Sequence, residues 1–390
     1  MTTRGVGAYL ASIDAMPSGW EHAFAAVERA DFLPRRVWSF DVATGTYTSV
    51  IDRDRDPVAW HRAANSNAPL VVQWDDGTHT GDEPGELASS SASMPSVVAD
   101  MLHELDVTGG ETVLEVGTAT GYTAALLAAR GCRVVTIEID PVLAAQARAN
   151  LNRTPYADAV TVVTGDGALG HPAGAPYDRL HITAGVRHIP PAWIDQARDG
   201  AIILMPWGTD YSPHDQALKL TRIGPGRACG PFTQPLSFMK LRDQRREFPE
   251  TSFPDDWPET SRESAPDIDV TDTIGAAYEP VEFVIGLHVR DCVPQQVEGT
   301  LWLYAPDTGS GASIAAVSYA EGCKSAAYEA GPRDLWGEVQ AAYHRWEDAG
   351  KPAADRFGLT VIADREGRVE QRPWFGSPDV ELSIHHRPPL

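Results

Sequence analysis

Glu115, Gly117, Gly121 and Glu138 carry the strongest chemical signal in this chain. An apolar run that starts at Thr112 ends in Glu115-Val116, turns through Gly117-Thr118-Ala119-Thr120-Gly121, and enters an Ala-rich run after Tyr122. A second apolar run ends in Glu138, twenty-one residues after Gly117. That is the spacing of a nucleotide half-site, in which a helix N-terminus offers unpaired N–H groups and an acid accepts from ribose hydroxyls. The same acid could also close an ordinary exposed strand end. Gly165-Asp166-Gly167 follows a third apolar run. A carboxylate there can accept from a base amino group while glycines permit close approach. A plain tight turn is the alternative.

A dinucleotide-binding loop needs glycine at its first, third and sixth positions, the last for close helix–strand packing. Here those positions hold Gly117, Ala119 and Tyr122, and the bulk of Tyr122 counts against a pyrophosphate ligand. A P-loop is excluded because no Gly-Lys-Ser/Thr follows.

Composition narrows the partners. The 390 residues carry a formal charge of −22 without clustered cations, so a nucleic-acid partner is not expected. Cys132, Cys229, Cys292 and Cys323 are far apart and form no C-x-x-C, and no signal peptide is readable at residues 1–19. A reduced, cytoplasmic protein without a zinc site is expected. No apolar run approaches eighteen residues, so no membrane span is expected. His181 and His188 flank a strand end, where a histidine is more often packed or exposed than a base, and His385-His386 near the C-terminus make a poor metal site without further ligands.

The elements that must position these residues follow from periodicity. Residues 18–30 read as a short helix with Ser18 as cap and Trp20, Phe24 and Val27 on one face. From 31 to 85 the pattern is irregular, with strands near 47–51 and 69–74. Serines at 89–93 lead into a helix over 94–105, where Val97, Val98, Met101 and Leu105 recur at helical spacing and Pro95 fits only a first turn. Strands are expected at 112–116, 133–138, 160–164, 177–183 and 200–205, with helices at 121–130, 140–151 and 190–197. This alternation implies an α/β fold with a doubly wound, mostly parallel sheet. Runs 216–223 and 228–241 suit an antiparallel edge. Residues 246–270 hold four prolines and eight acids and read as a linker. Beyond them an α+β unit is expected, with strands near 281–289, 299–305, 313–320, 358–363 and 367–374 and a helix over 334–347.

Read with their flanks, these residues resemble the class I S-adenosylmethionine-dependent methyltransferases. Their Glu-x-Gly-x-Gly-x-Gly loop is matched by Glu115-Val-Gly117-Thr118-Ala119-Thr-Gly121, with Ala119 in place of the middle glycine. Over roughly residues 20–240 the chain resembles the protein-L-isoaspartate O-methyltransferase family in particular. The motifs are Val27-x-Arg29-x-x-Phe32-x-Pro34, Ser93-x-Pro95-x-x-Val98-Ala99-x-Met101, Gly165-Asp166-Gly167, Ala175-Pro-Tyr-Asp178, Ile189-Pro190, Gln196 and Met205-Pro-Trp-Gly208. The resemblance implies a Rossmann-like fold and S-adenosyl-L-methionine as cofactor. It would be held by Glu115, Gly117, Thr118, Ala119, Gly121, Tyr122, Glu138, Asp166 and Gly167, with Thr183 bordering the methyl-transfer site. The expected division is an N-terminal helix and substrate-entrance segment (1–92), a cofactor-binding domain (93–245), the linker (246–270) and an accessory peptide-recognition domain (271–390).

Enzymes of that family methylate an Asp or isoAsp carboxylate of a peptide or protein, and the ester closes to an aspartimide (succinimide). A carboxylate with a pKa of about 4 is already ionised at neutral pH and needs no general base. Ser93 is therefore expected to contact substrate, together with the N–H groups opening the 94–105 helix, as a carboxylate cradle. Its plainer role is a helix cap, worth about 1 kcal/mol. The chain departs from the family over 41–85, where Trp60, Trp74, Asp75, Asp76, Asp82 and Glu83 stand in place of the usual Ala-Tyr-x-Asp-x-Pro-Leu, and in its 246–390 extension. Long members of this kind resemble enzymes that tailor ribosomally made peptides such as lanthipeptides and graspetides. General repair of isoaspartyl damage is the second reading, and a non-catalytic cofactor-binding module the third.

Overall fold

The computed structural model describes residues 5–41, 44–246, 261–307, 309–319 and 326–382. His385-His386, Cys323 and residues 247–260 of the expected linker lie outside these.

The N-terminal part runs α1 (Val6–Ser12), α2 (Glu21–Ala26), β1 (Arg36–Asp41), β2 (Thr46–Tyr47), β3 (Ile51–Asp52), α3 (Pro57–Ala64), β4 (Leu70–Trp74) and β5 (Ala88–Ala92). Trp20, Phe24 and Val27 are buried as the helical spacing predicts. Ser18 is not the cap of α2, whose N-cap position is Trp20. Strands β2, β1, β4 and β5 lie side by side in that order, and β3 pairs with β1. Here β1, α1, α3 and β5 were not legible, because each is short and lacks a clean period.

The central part is α4 (Pro95–Leu105), β6 (Thr112–Val116), α5 (Tyr122–Ala129), β7 (Arg133–Glu138), α6 (Pro141–Leu151), β8 (Val160–Thr164), β9 (Tyr177–Ile182), α7 (Pro191–Gln196), β10 (Ala197–Trp207), β11 (Asp215–Gly224) and β12 (Arg227–Leu236). After the undescribed stretch come β13 (Arg262–Ser264), α8 (Pro280–His288), β14 (Val293–Val297), β15 (Thr300–Ala305), β16 (Ser313–Ser318), β17 (Ala327–Ala330), α9 (Leu335–Asp348), β18 (Phe357–Ala363) and β19 (Val369–Phe375).

The main sheet has the order β19-β18-β12-β11-β10-β9-β6-β7-β8. Its β10-β9-β6-β7-β8 half is parallel and the rest antiparallel. This is the α/β Rossmann-like arrangement expected, with a reversal of strand order at β6. From β6 the chain steps outward through β7 to β8, then returns to β9 on the other side of β6. Ligands of such sheets lie at that reversal, beyond the carboxyl ends of the strands.

Two expectations need correction. Residues 280–288 form helix α8 in place of the strand expected near 281–289. A short, continuous apolar run fits either element; Val281, Phe283, Val284, Ile285 and Leu287 are all buried, and Pro280 starts the first turn. Nor is 271–390 a self-contained accessory domain. Strand β18 pairs antiparallel with β12 from Arg227↔Ile362 to Pro231↔Gly358. Phe283, Leu287, Leu359 and Val361 share one core with Leu218, Leu220 and Phe232. Strands β15, β16 and β17 and the inner face of α9 make a further core, which Val281 and Ile285 of α8 and Tyr211 also join. Among the described residues no helix is long and apolar enough to cross a membrane.

Candidate active site

At the β6 reversal lies a cavity of about 1000 Å³. Its walls include Ser93, Gly117, Thr118, Ala119, Tyr122, Glu138, Asp166, Gly167 and Thr183, brought together from five separate segments. Glu115 and Gly121 are not among the lining residues.

The loop after β6 is shaped from beneath. Gly117 has φ 98°, and a Cβ there would meet Thr183 Oγ1 at 2.6 Å, so only glycine fits. Thr183 Oγ1 donates to Gly117 C=O at 2.7 Å, which ties the loop to the end of β9. Ala119 also sits at positive φ, 46°, where the resembling enzymes place glycine. Its N–H donates to Glu138 Oε2 at 2.8 Å, and the Asp140 N–H donates to Oε1 at 3.1 Å. Glu138 is thus aimed, and each oxygen keeps acceptor capacity for a ribose hydroxyl. Burial pushes its carboxyl above the ordinary range, against the pull of those two N–H groups.

Glu115 has a different job. It is 1% exposed, and Thr136, its register partner on β7, donates to Oε2 at 2.6 Å. Thr118 and Thr136 hydroxyls are 2.6 Å apart, so Glu115 anchors the loop from inside the sheet. Gly121 packs α5 against α6: a Cβ there would lie 3.3 Å from Leu151 Cδ1. His181 Nδ1, 3.8 Å from Glu115 Oε1, is buried in the same layer. Asp166 caps the turn 167–169 through one oxygen and lines the cavity. Ile139, 44% exposed and lining the cavity beside Glu138, offers an apolar face for a flat base. The apolar residue directly after the acid was the signal that could have found it.

Ser93 does not cap α4. Met94 occupies that position without a side-chain bond, Pro95 has no N–H, and the Ser96 N–H is taken by Asn67 Oδ1 at 2.9 Å. The expected cradle of free N–H groups is therefore reduced to Val97, which lines the cavity. Ser93 itself is held by its carbonyl. Arg29, 1% exposed, donates through Nη2 to Ser93 C=O at 3.1 Å, to Ala92 C=O at 2.9 Å and to Ala68 C=O at 3.0 Å. Its Nη1 reaches the carbonyls of Ala64 and Ser66.

Two segments without readable periodicity meet beside the cavity. Asp75 and Asp76 both adopt positive φ, and Asp75 Oδ1 accepts from the Leu87 N–H at 2.7 Å. This aims Asp76 at Arg245, whose Nη1 and Nη2 lie 2.8 and 3.1 Å from it, and at Arg242 Nε, 3.1 Å away. Arg242 Nη2 and Gln73 Nε2 both donate to Asp140 Oδ2, at 3.1 and 3.0 Å. The latch thus joins β4, the 242–245 segment and the first turn of α6. Arg187, Lys240, Arg242, Arg245 and Arg246 all line the cavity, in a chain of strongly negative charge. From the C-terminal part, Gln371 on β19 donates to Arg187 C=O at 2.9 Å and accepts from the Ile189 N–H at 3.1 Å, bracing the loop after β9.

Comparison with known proteins agrees with this geometry. Residues 51–244 match the family model described as protein-L-isoaspartate(D-aspartate) O-methyltransferase. A protein-L-isoaspartate O-methyltransferase of Hyperthermus butylicus is 42% identical over 142 residues, 34% of this chain and 59% of the relative. One from Anaeromyxobacter sp. is 47% identical over 132 residues, 34% of this chain and 61% of the relative. The chain thus spans about three fifths of the length of those two relatives. One from Gloeobacter violaceus is 37% identical over 157 residues, 40% of this chain and 75% of the relative. A solved structure named protein-L-isoaspartate O-methyltransferase aligns over 94% of this chain and 98% of its own at TM-score 0.52, and its 20% identity speaks for the fold alone. The match at 37% identity across three quarters of the Gloeobacter relative means that the chain belongs to the protein-L-isoaspartate O-methyltransferase family.

Proposed function

We propose that this protein is an S-adenosylmethionine-dependent carboxyl O-methyltransferase acting on an Asp or isoAsp carboxylate of a peptide or protein. The observation that carries the reading is one continuous cavity with Glu138 and Asp166 in the wall at the carboxyl ends of β7 and β8 and Ser93 in the wall before α4. When bound, the cofactor supplies an electrophilic methyl group on a sulfonium. The chain has no base to provide, since the acceptor carboxylate is already ionised. Its residues bind and orient: Glu138 takes the ribose, Asp166 the base, and Ser93 the acceptor. The closed latch keeps water out of the reacting pair. In the ester, the following backbone nitrogen attacks the carbonyl and displaces methanol, giving the aspartimide.

Within that activity we assign the acceptor to one ribosomally made peptide rather than to damaged proteins at large. Support comes from the entrance, where Trp74 and the Asp75-Asp76 turn stand in place of the family's usual pattern. The C-terminal extension does not separate the two readings, because a plainly named family structure aligns over nearly the whole chain. Incubation with unrelated isoaspartyl peptides and with a cyclic, Asp-containing precursor tests the assignment by mass spectrometry. Methyl gain followed by methanol loss is expected at least tenfold faster on the precursor; equal turnover of the unrelated peptides leaves general repair as the function.

Two further outcomes are expected. Ser93→Ala changes stability by no more than about 0.5 kcal/mol, because Ser93 caps nothing, and lowers kcat/KM for the acceptor about tenfold, as a lost substrate hydrogen bond does. Thermal unfolding and steady-state kinetics check the pair. Asp76→Ala opens the latch and speeds release of S-adenosylhomocysteine about fivefold, the scale of a partly exposed ion-pair network. Stopped-flow fluorescence measures it, and high salt reproduces part of the effect in the unmodified protein.

A further inference from the structure

The C-terminal extension reaches the cavity through Tyr278, whose ring stacks on that of His214 with centroids 4.4 Å apart and planes at 31°. The backbone under Tyr278 is unusual. The Glu279 N–H bonds to Ala276 C=O at 3.0 Å, closing a four-residue turn in which Tyr278 is the third residue, at φ 70°. Glycine suits that position, and a bulky side chain there is strained. The turn is nevertheless fixed on both sides. Glu279 Oε2 accepts from the Ala276 N–H at 3.1 Å, and Pro280 leads at once into the buried helix α8.

Burial does not explain this strain, since Tyr278 remains 41% exposed. Strain held at an exposed aromatic residue in a cavity wall points to a role in binding. The same cavity is walled by Phe40, Tyr47 and Trp74, with Phe40–Tyr47 and Tyr47–Trp74 centroids each 4.8 Å apart. Burial lowers the His214 pKa below its ordinary value, which favours its neutral ring. With the Glu138 and Asp166 wall taken by the nucleoside and Ser93 by the acceptor, these rings are left for the acceptor's neighbour in the peptide.

We propose that Tyr278, backed by His214, is a specificity-determining residue that receives an aromatic side chain flanking the acceptor carboxylate, together with Phe40, Tyr47 and Trp74. This rests on the carboxyl methyltransferase reading. Aromatic pairs favour offset or edge contacts at such distances, and one such contact is worth up to about tenfold in affinity.

The test uses the full chain and three isoaspartyl peptides that differ only beside the acceptor: Phe before it, Phe after it, or Gly on both sides. One Phe peptide is expected to be preferred about tenfold in kcat/KM, through KM. Tyr278→Gly, which suits the turn and should not lower Tm, brings that preference within twofold, and Tyr278→Phe restores it. A preference unchanged in Tyr278→Gly, or none in the unmodified protein, overturns the proposal. Methylation of none of the three peptides by the unmodified protein strikes the activity reading itself, which separates the two failures.

Discussion

Glu138→Ala is expected to raise the dissociation constant of S-adenosylhomocysteine by about 10- to 100-fold, or roughly 1–3 kcal/mol of lost charge-assisted hydrogen bonds. The size follows from how the carboxylate is held. Both oxygens are fixed by backbone N–H groups, from Ala119 on one side and Asp140 on the other, so no reorientation is needed before it accepts two hydroxyls. Removing it also leaves those two N–H groups without acceptors and loosens the loop that carries Ala119 at positive φ. Glu138→Gln keeps the volume but turns one acceptor into a donor facing an N–H, so it should recover little. Isothermal calorimetry measures both variants, and an unchanged affinity in Glu138→Ala removes the ribose assignment.

Arg29→Ala is expected to cost about 3–5 kcal/mol of folding stability, because several charge-assisted hydrogen bonds of roughly 1.5–3 kcal/mol are lost together and do not add fully. Among the described residues Arg29 has no acidic partner. It binds five carbonyls, from Ala64, Ser66, Ala68, Ala92 and Ser93, and so ties the end of α3 and the loop after it to the end of β5. Burial lowers its pKa to about 10, which still leaves it charged at neutral pH. Arg29→Lys places one compact ammonium where a planar fork served five oxygens, and should recover less than half of the loss. Denaturant unfolding with kinetics at low temperature separates the two effects expected: lower stability, and a KM for acceptor that rises as Ser93 loses its tether. A change below about 1 kcal/mol in Arg29→Ala means that the clamp does not organise the entrance.

The parallel sheet was legible because its strands are continuous apolar runs bounded by glycines and helical periods. The predicted spans 112–116, 133–138 and 160–164 coincide with β6, β7 and β8. The cavity wall was legible for the same reason, since Gly117, Glu138 and Asp166 follow directly from strand ends. Glu115 was misplaced because its position in the motif says nothing of which way the side chain turns; register with Thr136 takes it into the sheet. The mouth was not legible at all. Arg187, His214, Arg245 and Tyr278 come from loops far apart in sequence, and no period links them. The antiparallel addition of β18 and β19 to β12 was hidden likewise, because pairing across more than a hundred residues leaves no local trace.

The central claim is that the cavity beyond β6 directs a methyl group onto a carboxylate. Incubation of the protein with methyl-tritiated S-adenosylmethionine and an isoaspartyl peptide, followed by mild alkali, tests it most directly. Carboxyl methylation predicts label on the peptide that is released as volatile methanol, and that is prevented by excess S-adenosylhomocysteine. Label that survives alkali, as on nitrogen or an ether oxygen, or no transfer to any carboxylate while cofactor binds, would contradict the account.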